Sequence, residues 1–157
     1  MTTSFFIQNA IIEDTLSRAP VEGKHVMDPF NTLAKKHNLP INILENHHIS
    51  SSEAEVHRHE ADLWICLEGE VEFVVDGEMV NPWAKQLPDG NLDDREIKAK
   101  EIKGGTSYIL KKGDILWIPA GQPHLHRTAA GTARLYIIKV PAREIVPLEA
   151  VPGWKTT

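Results

Sequence analysis

The sequence predicts an all-β domain, built as a barrel or a sandwich of short antiparallel strands. From Ile41 onward, apolar and polar residues alternate with a period of two. Turn signals such as Glu68-Gly69-Glu70, Asp76-Gly77 and Pro119-Ala120-Gly121 separate the alternating runs. Many short strands divided by turns are typical of closed antiparallel architectures. The chain has 157 residues, which is the length of one ordinary domain.

A leader, residues 1–40, precedes the alternating region. Asp28-Pro29 is typical of a helix N-cap followed by proline in the first turn. The apolar residues between Phe30 and His37 then fall on one helical face, and Asn38-Leu39-Pro40 ends the pattern. We therefore predict one short helix, which packs on the rest of the domain because so short a helix needs tertiary contacts.

The body of the domain, residues 41–145, contains the predicted strands. The alternation begins at 41–44, and Asp76-Gly77 marks a hairpin between apolar runs. Residues 146–157 form a separate C-terminal tail. The predicted strands are 41–44, 56–59, 62–67, 71–75, 106–110, 114–118, 124–128 and 133–140.

An insertion loop is predicted at residues 81–105, where the alternation breaks. Asp94 and Lys98 have the spacing of a helical ion pair, as do Glu96 and Lys100. The segment is either a solvated surface excursion or a functional element, namely a lid over the barrel mouth or a dimer contact. Trp83 keeps the second interpretation open, because a large aromatic side chain in a polar loop needs a covering partner.

Composition excludes several classes of partner. The net charge of −5 argues against nucleic-acid binding, which needs a concentrated basic face. No segment approaches the run of about 18 apolar residues that spans a membrane. The single cysteine, Cys66, lies in an apolar run and is expected to be a buried hydrophobic residue. The N-terminus lacks the pattern of a signal peptide, so we expect a cytoplasmic protein.

Three of the eight histidines form a pattern that suits a metal ion. His57 and His59 are two residues apart on a predicted strand, so both imidazoles point to the same face. His124 lies far along the chain, directly after a proline- and glycine-rich corner, and Asp62 adds a carboxylate. Imidazoles and a carboxylate suit a divalent ion such as Fe2+, Zn2+, Mn2+ or Ni2+.

The same residues carry a resemblance to a known family. The segment from His57 to Gly69 resembles the first motif of the cupin superfamily, an H-x-H followed by an acidic residue and a glycine. The segment from Gly113 to His124 is similar to the second motif, G-x5-P-x-G-x2-H. This chain has aspartate at position 62, where the family has glutamate, and Glu60 is a rival carboxylate. The resemblance implies an antiparallel jelly-roll β-barrel with one divalent metal on His57, His59, His124 and Asp62.

The sequence constrains the function of the protein less than its fold, because proteins with one fold can have many different activities. The cupin family includes oxygenases, isomerases, decarboxylases, lyases and non-catalytic binders. Our first hypothesis is an Fe2+-dependent dioxygenase that acts on a small oxygenated molecule. The alternatives are a non-redox metal-dependent isomerase, epimerase or lyase, and a ligand-binding or sensor protein without turnover.

Two further residues are candidates for catalysis, and one assembly is expected. His126 lies two residues beyond His124 and faces the same side, so it is a candidate acid, base or substrate-binding group. Tyr108 is the second candidate. Single-domain cupins generally pair through their barrel edges, and an exposed strand edge needs covering, so a homodimer is expected.

Overall fold

The computed structural model describes residues 4–128 and 131–155. Within these ranges the chain forms two α-helices, thirteen β-strands and one short 3-10 helix at Leu148–Ala150. The helices are α1 Asn9–Leu16 and α2 Phe30–Lys36. The strands are β1 Gly23–Val26, β2 Ile41–His47, β3 Ala54–His57, β4 Glu60–Glu68, β5 Glu70–Val75, β6 Glu78–Met79, β7 Trp83–Gln86, β8 Leu92–Ala99, β9 Ile102–Lys103, β10 Thr106–Lys111, β11 Ile115–Ile118, β12 His124–Arg127 and β13 Thr132–Pro141.

Two antiparallel sheets make up the body of the domain. One has the strand order β1-β2-β13-β4-β11, and the other has the order β10-β5-β12-β3-β8-β7. Strands that are distant in sequence are therefore neighbours, since β12 lies between β3 and β5, and β13 lies between β2 and β4. This arrangement confirms the predicted all-β antiparallel jelly-roll barrel.

The main core lies between the two sheets, where the inward faces of the strands meet. Trp64, Cys66 and Leu135 contribute from one sheet, and Phe73 and Leu110 contribute from the other. Period-two alternation explains this, because every second residue of a strand points to the same face. Cys66 is only 1% exposed, and burial raises the pKa of its thiol, in agreement with the predicted buried residue.

Each outer face of the barrel is covered by a different end of the chain. The leader packs on the first sheet through Met27, Phe30 and Ala34, which contact Ile43. The tail packs on the second sheet, where Val151 joins a cluster built mainly from β3, β8 and β12. Burying both outer faces removes apolar surface from water and fixes the sheet edges relative to the ends of the chain.

The leader contains more structure than the sequence predicted. The helix predicted after Asp28-Pro29 is α2, and the Asp28 carboxylate accepts hydrogen bonds from the backbone N–H and the hydroxyl of Thr32. A second helix, α1, and a strand, β1, were not predicted. Strand β1 pairs with β2 and extends the first sheet by one strand.

The segment predicted as an insertion loop at 81–105 is largely extended, and its helical spacing was misleading. Strand β8 pairs with β3 and β7 and enlarges the second sheet. Ile97 and Ala99 point to the same face and are buried in the outer cluster, which a strand achieves and a solvated helix would not. Residues four apart also share a face on a strand, so the charge spacing did not distinguish the two structures.

None of the helices in the described residues is long and apolar enough to cross a membrane.

Candidate metal centre

Alternation of side chains along strand β3 places Glu55 and His57, the first two residues of the site, on the same face. Glu55 and His57 are two residues apart on β3, and both point into the barrel, whereas Val56 between them is buried in the outer cluster. His124 on β12 is the cross-strand partner of Glu55. Directly opposed residues of an antiparallel pair share a face and lie close together. The result is that donor atoms of Glu55, His57 and His124 all lie within 4.8 Å of one another.

The corner before β12 is held against the end of β3. The backbone N–H of Gly121 donates to the carbonyl of His57 at 2.8 Å. Gly121 has φ +84°, and a Cβ on it would lie 2.9 Å from the Val146 side chain. Glycine is therefore required for this turn, which places the second motif directly beside the first.

Asp62 on β4 completes the cluster from the facing sheet. Its side chain is 1% exposed, and its Oδ2 lies 3.5 Å from Nε2 of both His57 and His124. Two ligand atoms that each lie about 2.1 Å from a tetrahedral ion are roughly 3.4 Å apart. The separation of the Asp62 oxygen from each imidazole nitrogen therefore fits a shared metal ion.

The orientation of His124 supports the same interpretation. Its Nδ1–H donates to the carbonyl of Gln122 at 3.2 Å, which leaves Nε2 as a lone-pair donor directed into the site. Among residues 4–128 and 131–155, neither His124 Nε2 nor Asp62 Oδ2 has a hydrogen-bond partner, although both are buried. Buried polar atoms without partners are costly, and a shared cation would satisfy both.

The site holds its carboxylates in the charged form and its buried imidazole in the neutral form. Burial alone would raise the pKa of Asp62, but the hydrogen-bond donors and positive charge around it, those of Lys139 among them, lower it. Burial would likewise raise the pKa of Glu55, but the positive charge around it, that of Lys24 foremost, brings it to about 2. Burial lowers the pKa of His124 to about 4. These are the protonation states that metal ligands require.

His59, predicted as a ligand, lies outside the group of close donors found in the described residues. Strand β3 ends at His57, and His59 lies in the bend before β4. In this bend the buried guanidinium of Arg58 donates to the carbonyls of Val146 and Asp94 at 2.7 and 2.8 Å. The strand parity that would place both histidines on one face is lost at this point.

Glu60, the rival carboxylate, also lies away from the imidazoles. It is one-third exposed, and its nearest charged partner is Lys139 at 3.7 Å. Glu60 and His59 line a cleft of about 250 Å³ that also exposes His57. The structure therefore brings together His57, Asp62 and His124 of the predicted ligands, and it adds Glu55.

His126, a predicted catalytic candidate, lies deeper in the barrel than His124. It is 2% exposed and packs against Trp64 and Phe73, with ring centroids 5.6 and 5.2 Å apart. The side-chain N–H of Asn46 donates to His126 Nδ1 at 2.9 Å, so the neutral ring carries its proton on Nε2. That Nε2 has no partner among the described residues, and burial lowers the pKa of the ring to about 3.

Tyr108, the other predicted catalytic candidate, lies at the edge of the second sheet. Its cross-strand partner is Phe73, and Phe73 separates it from His126 in the register of the sheet. The side chain is 48% exposed. This position does not support direct action at the metal centre.

Glu55 was not predicted as a ligand, although the sequence contained a signal for it. Its position two residues before His57 places it on the same strand face by the parity that was applied to His59. Glu55 also borders a second cleft, of about 520 Å³, which contains Lys24, Lys98 and Ser52. The candidate centre therefore lies between two clefts, one reached past Glu55 and the other past His57.

Comparisons with known proteins give matches to solved structures. The cupin domain of Cnp3 from Schizosaccharomyces pombe is 14% identical in sequence, with a TM-score of 0.45. The match covers 65% of this chain and 52% of the Cnp3 chain. An oxalate oxidase in complex with the substrate analogue glycolate is also 14% identical, with a TM-score of 0.42 and coverages of 68% and 44%. A protein from Thermotoga maritima described as a predicted oxalate decarboxylase is 13% identical, with a TM-score of 0.46 and coverages of 76% and 79%.

The chain thus spans about half the length of the first two of these structures. No protein-family model matches the sequence, and no curated protein matches it.

The architecture of the chain itself decides the fold. Two antiparallel sheets enclose the core, and the two motif segments meet at one interior point through His57 and His124. The fold is a cupin fold. In this chain the acidic position of the first motif segment is occupied by Asp62, and its carboxylate faces both imidazoles.

Proposed function

We propose that this cupin is a metal-dependent enzyme that acts on a small oxygenated molecule. The observation that carries the proposal is the position of Asp62 Oδ2, which lies 3.5 Å from Nε2 of both His57 and His124. Three buried donors from three strands converge there, and two of them are without hydrogen-bond partners in the described chain. Burying polar atoms without hydrogen-bond partners costs free energy unless they bind a ligand.

Fe2+ is the proposed metal, and dioxygenation is the proposed reaction class. Two imidazoles and one carboxylate form the donor set that non-haem Fe2+ oxygenases use, and the ion would activate dioxygen while the substrate is oxidised and takes up its oxygen atoms. Glu55 is a proposed fourth donor, and its carboxylate also forms an ion pair with Lys24, whose Nζ lies 3.2 Å from Glu55 Oε1. His59 remains a proposed ligand only if the bend after β3 rearranges.

The residues around the site are suited to hold a substrate and to limit water. Trp64 and Phe73 form an apolar wall behind the cluster, and His126 presents a buried N–H between them. We propose that this N–H donates to an oxygen atom of the substrate, because its Nε2 has no partner within the described residues. The clefts beside Glu55 and His57 are the proposed routes of entry.

One observation favours the non-redox alternative, an isomerase, epimerase or lyase. The 3.5 Å separation of the donors suits a tetrahedral ion such as Zn2+, which polarises a carbonyl without redox chemistry. Such a reaction needs an acid or base close to the metal. His126 is the candidate, since Tyr108 lies at the exposed sheet edge.

The test is to load metal-free protein separately with Fe2+, Zn2+, Mn2+ or Ni2+ and assay it with a panel of small hydroxy and keto acids. We expect dioxygen uptake and product formation with Fe2+ in air, and loss of both under argon. Full turnover with Zn2+ under argon would refute the oxygenase and support the alternative. Binding of panel members without turnover under any condition would support the non-catalytic binder.

A homodimer is proposed from the exposed edges of the two sheets. Strands β10 and β11 are the outermost strands on one side of their sheets, and Ile109, Ile115 and Trp117 on them are more than half exposed. Unpaired edges with apolar side chains favour pairing with a second copy. Sedimentation velocity should give a dimer that Trp117→Glu converts to monomer, and an unchanged monomeric wild type would refute it. A cytoplasmic location stays a prediction.

A further inference from the structure

A second group of close metal donors lies on the outer face of the first sheet. Glu22, directly before β1, and His47 and His48, at the end of β2, have donor atoms that all lie within 4.8 Å of one another. His47 shares a face of β2 with Ile43, which packs against the leader, whereas Leu44 on the other face belongs to the core between the sheets. The sheet therefore separates this group from the candidate metal centre.

The backbone at His48 brings the two imidazoles together. Consecutive residues of a strand point to opposite faces, so His47 and His48 would be expected on opposite sides of the sheet. Strand β2 ends at His47, and His48 has φ +54°, in the left-handed region that is uncommon for residues other than glycine. Its N–H donates to the carbonyl of Gly131 at 3.0 Å, which holds the turn. The two rings consequently stack, with centroids 3.8 Å apart and planes inclined by 29°.

His47 has the orientation of a metal ligand. Its Nδ1 lies 2.7 Å from the hydroxyl of Thr132, its cross-strand neighbour on β13. With Nδ1–H as the donor, this bond fixes the ring and leaves the lone pair on Nε2, which lies 3.8 Å from Oε2 of Glu22. The neighbour of His47 on the other side is Gly23, where an added Cβ would meet no atom of the described chain within 4 Å. Space for an ion is therefore open beside the ring.

The distances from Glu22 fit one ion shared by all three side chains. Glu22 Oε2 lies 3.1 Å from His48 Nδ1 and 3.8 Å from His47 Nε2. Ligand atoms about 2.1 Å from a tetrahedral ion are roughly 3.4 Å apart, which lies between these two values. In the metal-free chain the shorter contact is a hydrogen bond, and the tautomer with its proton on Nε2 frees Nδ1 of His48 for the ion. Binding also requires the stacked rings to tilt apart, which the 49% exposure of the His48 side chain permits.

The surrounding charges leave Glu22 available to an ion. Glu45, which faces the same side of the sheet, is already engaged, since it lies 2.7 Å from Arg134 and 3.4 Å from His25. Lys24 points to the opposite side of the edge strand and pairs with a carboxylate of β3. The Glu22 side chain is 72% exposed, and its charged partners within the described residues are the two histidines of the group.

We propose that Glu22, His47 and His48 bind one divalent ion of the Zn2+ class on the outside of the barrel. Two nitrogen donors favour Zn2+ over ions that prefer oxygen, such as Ca2+. The ion would join the residue before β1 to the end of β2, and so clamp the edge strand of the first sheet to its neighbour. The proposal is independent of the metal-dependent function proposed above, because the two sites share no residue.

The experiment measures Zn2+ binding by isothermal titration calorimetry in the full chain carrying Asp62→Asn, which weakens the central site. Glu22→Gln removes the charge of the outer site. His48→Asn removes one imidazole, and asparagine tolerates the left-handed backbone at this position. Glu70→Gln, at an exposed glutamate that pairs with Lys111, is the matched control, and Ca2+ is the control ion. Hydrogen exchange of residues 23–26, with and without Zn2+, reports the clamp.

We expect the Asp62→Asn chain to bind one Zn2+ ion and to bind Ca2+ much more weakly. Glu22→Gln and His48→Asn should each weaken Zn2+ binding by at least about tenfold, since even the loss of a group that only supports a ligand has an effect of this size. Glu70→Gln should bind Zn2+ as its parent does. Zn2+ should slow hydrogen exchange in residues 23–26, because opening of β1 would release the ion.

Unchanged Zn2+ affinity in either Glu22→Gln or His48→Asn, or no Zn2+ binding to the Asp62→Asn chain, would overturn the outer site. Equal affinity for Ca2+ and Zn2+ would also overturn it, since the imidazoles would then not be ligands. Zn2+ binding that leaves hydrogen exchange in residues 23–26 unchanged would refute the clamp. All of these results leave the proposed centre inside the barrel untouched.

Discussion

Asp62 and His124 face each other across the barrel interior, with Oδ2 and Nε2 3.5 Å apart and both side chains almost fully buried. They come from different sheets, since β4 belongs to the first and β12 to the second. Packing of the two sheets therefore sets the separation of the donors, and local chain geometry does not. A rigid, preformed pair of this kind is what a metal centre needs for affinity.

Replacing Asp62 by asparagine should abolish metal binding at this centre without a large change of shape. The amide keeps the size of the carboxylate but lacks its charge, and the donor atom becomes a poor ligand. We expect metal affinity to fall by more than about 100-fold, the upper range for the loss of an outer-shell partner. Competition with a chromophoric chelator measures this, and Asp89→Asn in an exposed turn is the control. Wild-type affinity in Asp62→Asn would remove the centre proposed here.

Glu55→Gln should have a smaller effect than Asp62→Asn. The Glu55 side chain is 17% exposed and is shared with Lys24 at 3.2 Å and Lys98 at 3.9 Å, so less of its charge is available to an ion. The same chelator assay ranks the two carboxylates. A larger loss in Glu55→Gln would make Glu55 the principal carboxylate ligand and Asp62 the auxiliary one.

The metal-free protein should lose stability as the pH falls below about 6.5. Burial lowers the pKa of His126 to about 3 in the folded state, against 6.5 for an ordinary histidine. Between these values the unfolded chain binds a proton that the folded chain does not, so the free energy of unfolding decreases as the pH decreases. His124, with a pKa of about 4, acts in the same direction.

Urea denaturation between pH 7 and pH 5 measures the slope. His126→Gln removes one of the two titrating groups, and the slope should become shallower by up to about 1.4 kcal/mol per pH unit. Stability that rises on acidification, or an unchanged slope in His126→Gln, would contradict a neutral buried ring.

The sequence predicted the barrel well because period-two alternation is a direct consequence of burial on one face. It failed at 92–99 because charges four residues apart share a face on a helix and on a strand alike. Ile97 and Ala99, which alternate and are buried, carried the correct signal there. The leader helix α1 was not predicted, since its hydrophobic contacts are with α2 and the first sheet and are not visible locally.

The candidate site was predictable only in part, because some of its contacts join residues that are far apart in the sequence. His57, Asp62 and His124 followed from the motifs. The bend that holds His59 contains Arg58, whose hydrogen-bond partners Asp94 and Val146 are 36 and 88 residues away. Lys139 reaches the site through the pairing of β13 with β4, which no short motif specifies.

Arg134 joins the leader to the barrel, and its removal should destabilise the fold. The structure buries Arg134 at 5% exposure, 2.7 Å from a fully buried Glu45. Its guanidinium also donates to the carbonyl of Leu16, the last residue of α1, and to that of Arg18, two residues further on. Arg134 therefore has a structural role in the described chain.

Arg134→Met should lower the free energy of unfolding by about 3–5 kcal/mol, because the buried carboxylate of Glu45 would lose its guanidinium partner. Arg127→Met is the matched control. Arg127 also lies 2.7 Å from its glutamate, Glu72, but its side chain is 40% exposed, so its loss should cost no more than about 1 kcal/mol. Urea denaturation compares the two variants, and hydrogen exchange should show faster exchange in residues 9–16 of Arg134→Met. Equal costs in the two variants would mean that burial of the Arg134 pair contributes nothing to holding the leader in place.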